Sequence, residues 1–339
     1  MGPEVLLLPL APLYAAAVKL RAAAYRRGAL TSTRATVPVI SVGNLTFGGT
    51  GKTPMVAALV RDLVARGRRP AVLTRGYGRR GRAALTLLGP DAGVPAEIAG
   101  DEPLVLSAAL PGVPVVVDSN RVRGAARAVA GGSDVVVLDD GFQHLALERD
   151  LDIVLVDAGD PWGGGRMPPR GRLREPLEAL RRASAVVVTK LPVDGWEAVL
   201  AEIGARVEQL APGLPVMGAR LRPSGLSSPD GVEEPSVLNG RRVLAFAGLA
   251  RPEGFLDTLE ELGAELAGFL PFRDHHRYSD AEVARLIEEA RRLDALPVTT
   301  AKDGVKLPAE APVAVLDVRM EPLDGSWDRL WALAPEVVP

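Results

Sequence analysis

The feature that most constrains the fold of this chain is an apolar run that ends in a glycine-rich turn and continues into a helical pattern. Residues 36–44 (TVPVISVGN) are mostly β-branched and apolar, which is typical of a buried strand. The turn over 46–53 (TFGGTGKT) contains three glycines and a lysine. Residues 53–67 then place apolar side chains at helical spacing and end at a glycine. A strand, a glycine-rich turn and a helix in this order predict a phosphate-binding loop, or P-loop.

The residues of this loop have separate predicted tasks. The glycines let backbone amides turn towards phosphate oxygens, Lys52 reaches the β- and γ-phosphates, and Thr53 binds Mg²⁺. The general pattern G-x-x-x-x-G-K-[ST] is met except at its first position, where Thr46 stands in place of glycine. The alternative, a glycine-rich turn with an incidental lysine, is disfavoured by the flanking strand and helix. The predicted nucleotide-binding residues are Thr46, Phe47, Gly48, Gly49, Thr50, Gly51, Lys52 and Thr53.

A second strand end supplies the acidic group that a P-loop requires to hold the water shell of its metal ion. The sequence VVVLDDGFQH runs from four apolar residues directly into Asp139 and Asp140. Carboxylate oxygens are ligands that Mg²⁺ prefers, so the two aspartates are predicted to act with Thr53 in binding it. Without the P-loop upstream, a pair of solvated turn aspartates would be an equally good interpretation.

The rest of the chain alternates strand and helix patterns. Its predicted strands are continuous apolar runs, which indicates a parallel sheet covered by helices on both faces. A change of composition over 233–242 predicts a linker, and a second, smaller α/β unit follows it. The length of 339 residues is sufficient for two domains with separate cores.

Composition excludes several classes of protein. The chain has no cysteine, which excludes disulfide frameworks and thiolate metal sites, and only three histidines, which makes a histidine-built metal cage a poor fit. The net charge of −2 gives no reason to expect a nucleic-acid partner. No obligate protein partner is evident from the sequence.

The N-terminal segment 5–27 is apolar and basic. As a helix it places Leu6, Leu10, Leu13, Ala17, Leu20 and Ala24 along one stripe, with Lys19 and Arg26 opposite. The apolar part is too short to span a bilayer, which takes about 20 residues. From these residues alone, two interpretations remain: a helix lying in the membrane interface, or an ordinary amphipathic helix packed on the domain.

Seven blocks of sequence together resemble the tetraacyldisaccharide 4′-kinases, the lipid A 4′-kinases of Gram-negative bacteria. In chain order they are GNLTFGGTGKTP, TRGYGR, GDEP, LDDGFQH, GRLREP, FRDHH and TAKDGVKL, spread from about Pro38 to Leu307. One block departs from the family pattern, which is usually NGRLLPAGPLREP and here is GGRMPPRGRLREP. Gly164 stands in place of the asparagine, and Arg170 and Arg172 replace small or apolar residues.

The resemblance implies a fold, a reaction and a location. The fold is a P-loop NTPase-like three-layer α/β/α domain with a mostly parallel sheet, joined by a hinge to a smaller C-terminal α/β domain. The reaction is ATP- and Mg²⁺-dependent phosphorylation of the 4′-hydroxyl of an acylated glucosamine disaccharide 1-phosphate at the cytoplasmic face of the inner membrane. The predicted division is therefore a membrane-associated helix over 1–27, a kinase core over 28–232 and a closing domain over 233–339. The alternative function is a membrane-associated P-loop ATPase switch without a lipid substrate.

Phosphoryl transfer to a hydroxyl requires a base. Asp101, in GDEP at the start of a predicted helix, is expected to take this role, and the resemblance points to the same residue. Lys52 is expected to act in catalysis by holding the transferred phosphoryl group. The alternative for Asp101 is a helix N-cap. Glu102 is expected to assist by orientation or metal binding. His275, in FRDHH of the second unit, is expected to hydrogen-bond the base or the substrate hydroxyl when the domains close.

The acceptor carries a 1-phosphate, for which guanidinium groups are well suited. The predicted substrate-binding residues are Asn44, Arg75, Arg121, Gln143, His144 and Arg174. Most other arginines of this arginine-rich chain are expected to be solvated.

Overall fold

The computed structural model describes residues 10–81, 83–89, 94–249 and 251–338, and one mixed sheet runs through them. Its strands follow the order β11-β10-β12-β13-β8-β7-β6-β1-β5-β2-β4-β3, and β9 pairs with β8. Two halves of this sheet, each with its own helices, form a larger N-terminal unit and a smaller C-terminal unit.

The larger unit contains the predicted parallel sheet. Its neighbouring strands from β8 to β4 are parallel, and only the edge pair of β3 and β4 is antiparallel among the described strands of this unit. The strands are β1 (Val39–Asn44), β2 (Pro70–Thr74), β3 (Leu85–Leu88), β4 (Pro114–Val117), β5 (Val135–Asp139), β6 (Leu151–Asp157), β7 (Ala185–Thr189) and the start of β8 (Val216–Ser228).

Alternate side chains of these strands enter separate cores on the two faces of the sheet. On β1, Ile40 and Val42 face the core that contains α2, whereas Val39 faces the opposite core. Both faces are therefore covered by helices, and the predicted α/β/α class is confirmed. The helices of this unit are α1 (Leu10–Arg26), α2 (Lys52–Ala65), α3 (Ala96–Ala99), α4 (Asp101–Ala109), α5 (Arg121–Ala130) and α6 (Trp196–Leu210).

The smaller unit is the predicted second α/β arrangement. Its strands β10, β11, β12 and β13 pair in parallel, and buried side chains such as Phe246 and Leu259 form its cores. Helix α8 begins with a capping box, in which Ser279 and Glu282 satisfy each other's backbone amides. The elements are β10 (Arg242–Ala247), α7 (Glu253–Glu261), β11 (Glu265–Pro271), α8 (Asp280–Arg292), β12 (Leu296–Thr300), α9 (Ala301–Gly304) and β13 (Ala314–Pro322).

Two long strands join the units. The start of β8 pairs in parallel with β7, and the remainder pairs antiparallel with β13 and with β9 (Gly231–Glu233). The chain returns along β13, and α10 (Asp328–Trp331) packs with Trp327 against the core around α2. The last described residues therefore pack on the larger unit, while the domain division near 233 stays a prediction.

Helix α1 packs on the larger unit through a different face from the predicted apolar stripe. Ala15, Val18 and Ala22 face the protein, whereas Ala17 and Leu20 of the stripe are exposed, Leu20 to 71%. Leu6 and the side chains of Leu10 and Leu13 lie outside the described residues, and Ala24 of the stripe is half-buried. Among the described residues, no helix has both the length and the apolar character needed to cross a bilayer.

Candidate active site

The glycine-rich loop connects β1 to α2 at the carboxyl end of the parallel sheet. Gly48 (φ 126°) and Gly51 (φ 83°) adopt left-handed backbone conformations that residues with a Cβ rarely adopt. Gly51 caps α2 without a side-chain hydrogen bond. Among the described residues, no protein acceptor takes a hydrogen bond from the amides of residues 48–53. Their N–H groups and the positive end of the helix dipole are therefore open to an anion.

Buried polar residues fix this loop from below. The Asn44 side chain donates to Thr50 Oγ1 at 3.1 Å and accepts from Lys52 Nζ at 3.5 Å. The Thr189 hydroxyl donates to the Thr50 carbonyl at 2.9 Å. Asn44 is completely buried. Asn44 therefore supports the loop from within the protein, and its contact with the substrate stays a prediction.

Asp139 is buried at the end of β5, next to the loop. Thr74 donates to its Oδ2 at 3.3 Å, whereas Oδ1 has no partner among the described residues. Burial raises the pKa of Asp139 to about 7, and the negative charges of Glu102 and Asp140 add to this effect. An unpartnered buried carboxylate oxygen fits a bound cation. Such a cation would stabilise the ionised carboxylate against both burial and the neighbouring negative charges.

Asp140 remains charged in the same region. Burial by itself raises the pKa of Asp140, but the nearby charges of Lys52 and Arg174 hold it below its usual value. Lys52 Nζ lies 3.7 Å from Oδ1, and Arg174 Nη1 donates to both carboxylate oxygens at 2.7 and 2.8 Å. The described residues contain no preassembled cluster of three or more acidic or histidine metal ligands. Mg²⁺ in nucleotide sites needs few protein ligands, because phosphates and waters supply the others.

Asp101 and His275 meet across the cleft between the two units. Gly100 is the N-cap of α4, so Asp101 is its first helical residue rather than its cap. Asp101 Oδ2 lies 3.0 Å from His275 Nδ1. The His275 backbone has a φ of 59°, and the loop is held by an ion pair of 2.7 Å between Asp274 and Lys302. The expected side-chain pair is thus assembled from two distant parts of the sequence.

The predicted substrate arginines lie in different environments. Arg75 lines a cavity of about 570 Å³ with Tyr77, Arg79 and Ser119. Arg121 is buried, and its guanidinium donates to the carbonyls of Asp118 and Asp139 at 2.7 and 3.3 Å. Burial lowers the pKa of Arg121 to about 10. Arg121 therefore holds the ends of β4 and β5 together, and its direct contact with substrate stays a prediction.

Gln143 and His144 lie between this region and α1. The Gln143 side chain donates to the Asn44 carbonyl at 3.0 Å, and Arg21 of α1 donates to the Gln143 carbonyl at 3.0 Å. Burial, together with the charges of the surrounding arginines, lowers the pKa of His144 to about 4. His144 is therefore neutral near pH 7, and its Nε2 has no partner among the described residues.

One residue of the cleft escaped the sequence-based site prediction. The ring of Tyr77 lies 6.4 Å from that of His275, centre to centre, and Tyr77 is 73% exposed. The sequence signal for Tyr77 is its place between two glycines in the TRGYGR block, because an aromatic residue in such a loop is expected to be exposed and available to a ligand.

Comparison with known proteins agrees with this geometry. The family model for tetraacyldisaccharide-1-P 4′-kinase (LpxK) matches residues 3–333. The tetraacyldisaccharide 4′-kinase of Anaeromyxobacter sp. (strain K) is 44% identical and aligns over 98% of this chain and 92% of its own. That of Geobacter sulfurreducens is 44% identical over 94% and 90% of the two chains. The crystal structure of "apo" form LpxK from Aquifex aeolicus in complex with ATP matches with a TM-score of 0.80 and 32% identity, over 100% of both chains.

Proposed function

The chain belongs to the tetraacyldisaccharide-1-P 4′-kinase family, and from this premise we propose how its residues carry out the reaction. The enzyme transfers the γ-phosphoryl group of ATP, with Mg²⁺, to the 4′-hydroxyl of an acylated glucosamine disaccharide 1-phosphate. The protein must therefore neutralise the triphosphate and hold the hydroxyl in line with it while the hydroxyl proton is removed.

The single observation that supports the assignment of the base is the 3.0 Å contact between Asp101 and His275. The Asp101 carboxylate accepts the proton of the 4′-hydroxyl, and His275 orients that carboxylate or the hydroxyl itself. Because the two residues come from different units, the pair forms only when the cleft is closed. Closure excludes water and thereby limits hydrolysis of ATP.

The nucleotide is proposed to bind on the side of the reacting centre that faces away from Asp101 and His275. The open amides of residues 48–53 and the Lys52 ammonium group bind its phosphates, with Thr46, Phe47 and Thr50 shaping the loop. Thr53, Asp139, Asp140 and Glu102 are the groups that would hold Mg²⁺ or its waters. When bound, Mg²⁺ supplies charge neutralisation for the transferred phosphoryl group.

The acceptor sugar is proposed to enter from the side of the Arg75 cavity. Arg75 and Arg79 place two guanidinium groups in this cavity, where the 1-phosphate can be bound bidentately. Arg21 and Tyr14 of α1 donate to the carbonyls of Gln143 and Arg174, so these two residues lie next to α1. Together with His144 they are proposed to line the path of the disaccharide.

Helix α1 is proposed to lie in the membrane interface as part of segment 1–27. Its inner face packs on the protein through Ala15, Val18 and Ala22, while Ala17 and Leu20 face outwards. Lys19 and Arg26 are also exposed on this helix, and their long side chains are proposed to contact anionic headgroups. The enzyme is thus a peripheral protein of the cytoplasmic face of the bacterial inner membrane.

The two units are proposed to close by bending where β8 and β13 join them. Core residues 28–232 bind the nucleotide, and the unit that begins near 233 brings His275 to the cleft. Arg277 of the same loop lies 3.4 Å from Glu97 of α3, which adds a second contact across the cleft.

The test is a kinase assay with Mg·ATP and acylated disaccharide 1-phosphate in detergent micelles. We expect a product phosphorylated at the 4′ position, and its formation should be lost in a Lys52→Ala variant that melts at the wild-type temperature. ATP hydrolysis that is independent of lipid and yields no phosphorylated lipid would instead support an ATPase switch.

A further inference from the structure

Arg172 lies over the phosphate-binding loop, in the block where this chain departs from the sequence pattern of its family. Its main chain is fixed to the loop, because its carbonyl accepts from the Phe47 amide at 2.6 Å. Its Nη1 lies 3.4 Å from the position that a Cβ on Gly48 would occupy. The guanidinium group is therefore adjacent to the loop amides that face the phosphates.

Arg172 shares one carboxylate with an arginine of the smaller unit. Its Nη2 donates to Asp160, which follows β6, and Arg251 Nη2 lies 4.0 Å from the same oxygen. The side chains of Arg172 and Asp160 are 36% and 30% exposed. Two guanidinium groups and one carboxylate leave an excess positive charge beside the loop, accessible from solvent.

The other cations near the loop are engaged with protein groups. Arg174 donates hydrogen bonds from Nη1 to both carboxylate oxygens of Asp140. Lys52 lies between Asn44 and Asp140. An exposed ion pair such as that of Arg172 with Asp160 contributes little stability, so a ligand of higher negative charge can displace the carboxylate.

We propose that Arg172 is an additional phosphate-binding residue for ATP, held ready by Asp160 while the loop is free. On binding, the guanidinium moves from Asp160 to the phosphates, whose oxygens it matches in geometry. Asp160 then retains Arg251 as its partner, so its charge is not left unpaired. This inference rests on the nucleotide site proposed above.

Titration calorimetry with Mg·ATP tests the proposal on the full chain. We expect Arg172→Ala to weaken binding about 10- to 100-fold, as loss of a charge-assisted hydrogen bond does. The Mg·ATP affinity of Arg172→Lys should lie between those of wild type and Arg172→Ala, because an ammonium group keeps the charge but lacks the planar geometry of a guanidinium. Arg170→Ala is the matched control, because Arg170 is exposed in the same segment. The affinity of this variant for Mg·ATP should stay within about twofold of wild type.

Asp160→Asn separates phosphate binding from a structural role. If Asp160 competes with phosphate for Arg172, this variant binds Mg·ATP as tightly as wild type or more tightly. Equal weakening by Asp160→Asn and Arg172→Ala would show that the ion pair merely supports the loop, and the proposal would be wrong. Thermal melting of each variant shows whether a loss of Mg·ATP affinity is caused by unfolding. If Arg172→Ala does not fold, the affinity of Arg172→Lys tests the proposal instead.

The outcomes also distinguish this inference from the nucleotide site itself. If the wild-type protein binds no Mg·ATP, the proposed nucleotide site is wrong. If wild type binds Mg·ATP and Arg172→Ala binds it equally well, the site stands and the role of Arg172 is refuted.

Discussion

Replacing Asp101 by asparagine removes the proposed proton acceptor while keeping the size of the side chain. Asp101 lies 3.0 Å from His275 and its side chain is only 15% exposed, so the carboxylate is held in place at the cleft. General base catalysis contributes about 10²–10⁴-fold to a rate. We therefore expect kcat to fall by this factor, which corresponds to a barrier higher by about 3–5 kcal/mol.

Substrate affinity should respond differently from kcat. Asp101 is the first residue of α4, and its side-chain hydrogen bond goes to His275 rather than to the loop that binds the nucleotide. The dissociation constant of Mg·ATP, measured by calorimetry, should therefore change by less than about twofold. The assay for kcat follows transfer of labelled phosphate from ATP to the lipid in micelles.

Two further variants sharpen this test. His275→Ala leaves the carboxylate in place but removes its partner, so we expect a smaller loss, on the order of 10–10²-fold. The double variant should be no slower than about the Asp101→Asn variant, because residues that act as a unit are not additive. Arg277→Ala is the control, since it removes an exposed ion pair with Glu97 across the same cleft and should cost little.

The result that would refute the reasoning is a near-normal kcat for Asp101→Asn. Independent, multiplicative losses in the double variant would also contradict a working pair of Asp101 and His275. A fall of kcat in Arg277→Ala as large as in His275→Ala would mean that cleft closure, rather than the histidine ring, limits the rate.

Three other predictions concern charge, membrane binding and packing. Because the pKa of Asp139 is raised from 3.8 to about 7 in the folded protein, the fold loses stability as the pH rises between these two values, and the loss is complete above about 7. Without Mg²⁺, Asp139→Asn should therefore melt above wild type at pH 8, and equal melting temperatures there would contradict this. The difference should shrink towards pH 5, where the folded-state carboxyl is protonated. Leu20→Glu on the outer face of α1 should reduce flotation with anionic liposomes and leave the melting temperature unchanged, whereas unaltered flotation would mean that α1 does not contact the membrane. Gly124→Ala should lower the free energy of unfolding by about 1–3 kcal/mol in urea titrations, because its Cβ would lie 2.4 Å from Leu73 Cδ1; a neutral result would mean that α5 shifts freely.

Local patterns predicted the fold class and the phosphate loop. The apolar run before Asn44, the glycines and Lys52 act within one short segment, so sequence order alone places them together. The pairing of Asp101 with His275 depends on residues 174 positions apart, and family resemblance rather than periodicity suggested it. Arg121 is a predicted substrate contact because guanidinium suits the 1-phosphate, and Asn44 is a second predicted contact; the structure buries both, which the sequence does not show.

The sequence by itself therefore determined the strand–loop–helix that binds phosphate, the two α/β units and the identity of the family. These features follow from the order of residues along the chain, which a sequence states directly. The tertiary structure alone decided which face of α1 packs on the protein, that the chain end returns to α2, and that Arg172 lies over Gly48 beside Asp160. These depend on how far side chains reach across the sheet edge once distant segments have packed, and no local pattern encodes that distance.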